Sequence, residues 1–540
     1  MRSWVAPASA CACIVVSFTV VLGGSPGSAS GGPRQATHGH AIEVAAEAIV
    51  TPMVHQVSLA RPADRRCSRV AAPRRQARCE DSLLPPSHAA MDMGKPDYGG
   101  GAVPRGLRRS LDALTGPRGV PSRVLTITAA MGTLEVGGVT RPVMTFNGTT
   151  PGPTLRVRQG ELVEVRLRNQ DIRRGVTIHW HGVDVPGRED GVAGVTQNAV
   201  LPGEEYVYRF SPPDAGTFWY HSHQDSLRQV RMGLVGAIVV EPAAPADPPA
   251  DTELTSVIHT YGPTLTLDGR TGDIPVSVDA GTSVRVRLVN SDSGAAFVSA
   301  SSPFLVVAID GFDIDGPTPL ADTAVEIPAG GRVDLTFTLT EDPVRVGVLA
   351  GPSFVIGPLG GPDPPALTAE TLFDPLTYGR PGGSAAARSG LGSIDRDFTY
   401  RVGQRYGYLD GRFGNWFTIN GRMIPDVPMF VVAEGDVVRV RIANASTAAH
   451  PMHLHGHHAL VVARNGKPAT GAAWWVDSLE VQPGESYELA FVADNPGVWM
   501  FHCHNLPHAR AGLVTHLMYA GVASPYTLGR VTSRLVNRPE

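Results

Sequence analysis

Trp499-Met500-Phe501-His502-Cys503-His504-Asn505-Leu506-Pro507-His508 is an apolar run that ends in a row of metal-binding side chains. On an extended strand successive side chains alternate between faces, so His502 and His504 point one way and Cys503 the other. One segment can therefore serve two metal sites back to back. Three further His-x-His pairs, His179 with His181, His221 with His223, and His453 with His455, each place two imidazoles on one strand face. The eight paired imidazoles support a multinuclear site. Cys503 is left to join a second site with His450 and His508.

Working outward, the segment belongs to a repeated phrase. Gly160 is followed by Val163, Val165, Leu167 and Asn169; Gly281 by Val284, Val286, Leu288 and Asn290; Gly435 by Val438, Val440, Ile442 and Asn444. Alternating apolar and polar residues read as strands, and three copies at domain-sized intervals indicate three homologous strand-rich units. Pro202-Gly203-Glu204 precedes Gly216 and the His221/His223 pair, as Pro483-Gly484-Glu485 precedes Gly497 and the His502/His504 pair, with the same Gly-to-His spacing. The middle copy keeps Pro328-Ala329-Gly330 without a following His-x-His. Units one and three thus carry the ligands, their shared site should form at the interface between them, and unit two reads as a spacer. The units are placed at 121–245, 250–395 and 396–540, with breaks in the Pro-rich stretch 242–251 and the Gly/Pro-rich stretch 351–393. Short, evenly spaced strands imply an all-β chain of consecutive Greek-key sandwiches or small barrels.

Composition agrees. The chain of 540 residues exceeds one ordinary core, 61 Gly and 46 Pro suit strands and turns, and a net charge of −4 gives no reason to expect nucleic acid as a partner. Arg2, an apolar run from Cys13 to Leu22 and small residues through Ser30 resemble a secretory signal over 1–30, with an uncleaved anchor as the alternative. Residues 31–120 lack periodicity and cluster arginines from Arg61 to Arg78, which reads as a basic, low-order extension able to touch an anionic cell surface. His38 with His40 and Met91 with Met93 could bind copper loosely there, and Cys67 and Cys79 could pair in an oxidising compartment. The expected location is exported: extracellular, cell-surface or periplasmic.

Two His and one Cys with a weak or absent axial ligand make the trigonal electron-transfer copper site, and all-imidazole ligation suits copper better than structural zinc. Ten residues after Cys503 stands Leu513, which cannot coordinate; a missing thioether tends to raise the copper potential. Met518 is a poorer axial candidate. The strings HWHG (179–182), WYHSH (219–223), HPMHLHG (450–456) and HCHNLPHARAGL (502–513) resemble the four copper motifs of the multicopper oxidases. The resemblance spans 124–519 and implies three cupredoxin domains and four copper ions: one type 1, one type 2 and a type 3 pair. It implies His450, Cys503 and His508 as type 1 ligands, His179 and His453 for type 2, and His181, His221, His223, His455, His502 and His504 for type 3. Electrons would pass from Cys503 through His502 and His504 to reduce dioxygen to water, with Asp190 as a proton relay. A second acid common in the family is missing, because residues 505–513 include no carboxylate. His259, His457, His458 and His516 match no family ligand and read as ordinary surface or packing residues.

The expected function is a laccase-like oxidase that takes single electrons from phenols or aromatic amines. A metallo-oxidase acting on Cu(I) or Fe(II) is the alternative. Its cuprous form would favour a Met-rich insertion, whereas Met423, Met429, Met452, Met500 and Met518 are scattered, and its ferrous form would need carboxylates beside His450 or His508. A copper-free structural protein of this fold conflicts with the full ligand set, and a copper nitrite reductase would lack the His-Cys-His arrangement.

Overall fold

The computed structural model describes residues 94–244, 250–358, 360–381, 392–409 and 411–540. The signal-like run, the arginine cluster, Cys67, Cys79, His38, His40, Met91 and Met93 lie outside them. The described chain is nearly all β, as its alternation demands; its α-helices are single turns at Ser226–Arg231 and Leu506–Arg510.

Each of the three units is a two-sheet sandwich. In the first, Val139–Phe146, Arg123–Val136, Val163–Asn169 and Glu205–Phe210 form one sheet, and Leu155–Arg158, Val235–Glu241, Gly216–His221 and His179–His181 the other. The second pairs two six-stranded sheets around Val286, Leu288, Val325 and Phe354. In the third, the sheet Pro428–Val432, Val514–Tyr519, Val498–Cys503, His450–Leu454 and Ser478–Val481 faces a seven-stranded partner. The repeated phrase takes the same place every time. Arg123–Ala129 runs parallel to Val163–Asn169, Thr252–Ile258 to Val284–Asn290, and Arg396–Val402 to Val438–Asn444. Burial of its valines and leucines fixes the register, since a one-residue slip would expose them all.

The stretch expected to be a low-order extension to residue 120 forms structure from residue 95 onward. Lys95–Asp97 adds a parallel edge strand to Pro428–Phe430, and Arg109–Ser110 pairs with Val522–Ala523. Leu111 is fully buried with Val192, Val195 and the third unit's core. The reason is local: an unpaired sheet edge accepts extended backbone of almost any sequence, and one leucine suffices to anchor it. Neither signal is periodic.

Candidate metal centre

Strand pairing sets the histidines. His179 lies opposite His221, and His453 opposite His502 with Met452 opposite Cys503. Alternation sends Cys503, Met452 and Phe501 into the third unit's core and sends His453, His455, His502 and His504 toward the first unit. All eight paired histidines are buried.

Cys503 Sγ lies 3.6 Å from His450 Nδ1 and 3.8 Å from His508 Nδ1, and the two nitrogens are 3.2 Å apart. Ser446 Oγ bonds the far nitrogen of His450 at 2.7 Å, and the Cys503 amide donates to the Leu513 carbonyl at 3.1 Å. Phe417 packs on both imidazoles, leaving His508 half-buried. Burial pushes His450 down to about 3 and His508 to about 4, so both are neutral donors at ordinary pH. Leu513 is fully buried in the same core.

In the larger cluster the inward nitrogens face one another. His179 Nε2 is 3.4 Å from His453 Nε2, and His455 Nε2 is 3.2 Å from His502 Nε2. His181 Nδ1, His221 Nε2, His223 Nε2 and both nitrogens of His504 are buried without a hydrogen-bond partner. The donor atoms of His179, His181 and His221, and those of His223, His455 and His502, fall within 4.8 Å of one another. Outward nitrogens are held: His179 Nδ1 by the Asp190 carbonyl (2.9 Å), His453 Nδ1 by the Asp477 carbonyl (2.8 Å), and His221 Nδ1 by the Ser222 carbonyl (3.0 Å). The Asp190 carboxylate lies 3.0 Å from His455 Nδ1 and 3.1 Å from His179 Nδ1. Burial holds His181, His221, His223, His455, His502 and His504 well below the usual imidazole range. Orphaned, neutral, inward-facing nitrogens with fixed outer partners are what a metal cluster needs.

Two family models, both described as multicopper oxidase, match residues 128–245 and 397–521. The chain belongs to the multicopper oxidase family. Multicopper oxidase MmcO of Mycobacterium tuberculosis is 27% identical over 485 residues, covering 79% of this chain and 92% of the relative. Laccase-4 of Trametes villosa is 27% identical over 463 residues, covering 72% and 88%. The solved structure of a multi-copper oxidase from Pseudomonas thermotolerans aligns with a TM-score of 0.59 at 28% identity, covering 74% of this chain and all of that one. Multicopper oxidases are oxidoreductases that bind four copper ions, and the orphaned nitrogens and the Cys503 triad fit that cofactor.

Several residues at this multicopper oxidase centre carry no sequence motif. The second unit, expected to be a spacer, reaches the cluster: an added Cβ at Gly330 would sit 2.7 Å from the His181 ring, and the Trp219 indole donates to the Gly330 carbonyl at 3.0 Å. Arg332, fully buried, pairs with Asp477. Glu540 places a carboxylate oxygen 3.4 Å from His502 Nδ1, with neither oxygen hydrogen-bonded and burial raising its pKa. The four histidines read as ordinary surface or packing residues are all buried. Among them His458 sits between Asp184 (3.4 Å) and Asp477 (3.2 Å); burial opposes its charge, yet the two carboxylates raise it to about 10.

Proposed function

We propose that His450, Cys503 and His508 hold the type 1 copper, His179 and His453 the type 2 copper, and His181, His221, His223, His455, His502 and His504 the type 3 pair. One observation carries this: a buried sulfur and two imidazoles sit one covalent step from eight converging imidazoles. Bound copper would supply one-electron redox chemistry at the Cys503 site and would relay the reductant's electrons to dioxygen at the histidine cluster. The chain supplies the path. Cys503 is bonded directly to His502 and His504, and the Cys503 carbonyl also accepts from His502 Nδ1 at 3.1 Å.

A reductant meets the chain at the edge of His508, the one half-buried ligand of the triad. Asp190 and Glu540 are the carboxylates placed to hold and release protons beside the histidines, Glu540 standing in for the acid missing from 505–513. We assign the enzyme to laccase-like oxidation of phenols or aromatic amines with dioxygen, in an exported protein. The metallo-oxidase alternative needs carboxylates beside His450 or His508; Glu480, on the neighbouring strand, lies across from Pro451, on the opposite face from His450, and burial raises its pKa. Oxygen consumption with a neutral phenol, Fe(II) and Cu(I) as sole reductants separates the two. A higher kcat/KM for the phenol is expected; turnover of metal ions alone would overturn the laccase assignment.

A further inference from the structure

The second unit holds no histidine of the cluster, yet its Arg332 lies where all three units meet. It comes from the strand Arg332–Thr338, directly after the Pro328–Gly331 turn that brushes His181. Its Nε donates to the Thr217 carbonyl of the first unit at 3.1 Å, and its Nη2 to the Asp310 carbonyl of its own unit at 2.8 Å. Its fork grips Asp477 of the third unit bidentately, Nη1 to Oδ1 at 2.6 Å and Nη2 to Oδ2 at 2.5 Å. Only a planar guanidinium can fill these positions together.

Asp477 passes that geometry to two ligands. Its carboxylate lies 3.1 Å from His181 Nε2, and its carbonyl 2.8 Å from His453 Nδ1. Ser478 Oγ, 3.0 Å from the same His181 Nε2, bonds Asp477 Oδ1 at 3.1 Å. Asp310 closes the frame by accepting the amides of Asp477 and Ser478 at 3.1 and 3.0 Å. Because carboxylate and hydroxyl occupy Nε2 of His181, its unpartnered Nδ1 is the nitrogen that faces inward.

We propose that Arg332 is a positioning residue for the histidine cluster: through Asp477 it orients His453, assigned to type 2, and His181, assigned to type 3, so the unit without metal ligands governs copper retention in the cluster. This inference rests on the ligand assignment above, and the test separates them. Hydrogen-bond partners that orient metal ligands are worth about 10- to 100-fold in metal affinity.

The test compares copper-loaded wild type, Arg332→Met and Arg332→Lys by copper per chain, the blue absorption, the type 2 EPR signal and the rate at which a chelator removes that signal. Wild type lacking either signal would overturn the ligand assignment itself. With wild type as assigned, Arg332→Met is expected to keep the full blue band, which lies beyond every Arg332 contact, while losing the type 2 signal and at least one cluster copper per chain. Arg332→Lys, which keeps the charge but not the fork, should fold and release the type 2 copper about tenfold faster or more. If Arg332→Met does not fold, the lysine variant decides. Unchanged type 2 retention, or parallel loss of the blue band and the type 2 signal, would overturn the role of Arg332.

Discussion

Asp190→Asn is the substitution whose consequence follows most directly from the geometry. The carboxylate touches two imidazole Nδ1 atoms, that of His455 at 3.0 and 3.1 Å and that of His179 at 3.1 Å, and the residue is 1% exposed. With Nε2 of both rings turned inward, both Nδ1 atoms carry hydrogen and need an acceptor. An amide offers one neutral acceptor oxygen and turns an N–H toward the rings; His179 Nδ1 keeps the Asp190 carbonyl at 2.9 Å, so what is lost is the charged acceptor of His455. That is about 1.5–3 kcal/mol, or about 10- to 150-fold in how well the ligand is held. Copper release to a chelator should accelerate accordingly, with the blue band untouched. If Asp190 also gives a proton to reducing dioxygen, reoxidation of reduced enzyme in a stopped-flow experiment should slow about 10²- to 10⁴-fold. Unchanged copper retention and unchanged reoxidation would contradict both roles of Asp190.

Other residues give independent checks. Burial, reinforced by Glu485, raises Glu326 to about 7; its folded form holds a proton that the unfolded chain has lost, so stability falls as pH rises from about 4.5 to 7. Glu326→Gln should therefore leave the melting temperature near wild type at pH 4.5 and raise it at pH 8, by up to about 3 kcal/mol of stability; no pH-dependent difference would contradict this. Gly330→Ala would set its Cβ 2.7 Å from His181 Cε1 and 3.0 Å from Ser478 Oγ on a backbone with φ +84°, and the copper content should drop; a fully loaded variant would show that the second unit does not press on the cluster. Leu513→Met conserves volume, should cost less than about 1.5 kcal/mol, and adds a thioether beside Cys503, so the type 1 potential should fall in a redox titration; a rise or no change would place the side chain away from the metal.

Much of this was legible in the sequence because two periodicities carry it. A period of two makes His-x-His a one-face pair and turns Cys503 to the other side, and the packed strands hold that alternation. The Val-x-Val-x-Leu/Ile phrase marks the same parallel-paired strand in every unit. What stayed hidden depends on contacts between distant residues of unremarkable type. Arg332 and Asp477 are 145 positions apart, and nothing local distinguishes that arginine from those on exposed strand faces. Glu540 and His502 meet only after the last strands have wrapped back over the helix Ser226–Arg231, where Asp225 and Ser226 donate to the Arg538 and Pro539 carbonyls. His458 matches no ligand position in the sequence, and its charge is set by Asp184 and Asp477 from two other segments. The ordered run from residue 95 escaped notice because edge pairing asks for no pattern.

On the proposed assignment Cys503 anchors one copper site bonded directly to a second, histidine-only cluster. The most direct test is copper per chain together with the visible spectrum of copper-loaded wild type and Cys503→Ser. Four ions per chain are expected in wild type, with an intense blue band that the serine variant lacks while retaining the cluster's copper. No blue band in wild type, or about one ion per chain, would contradict it.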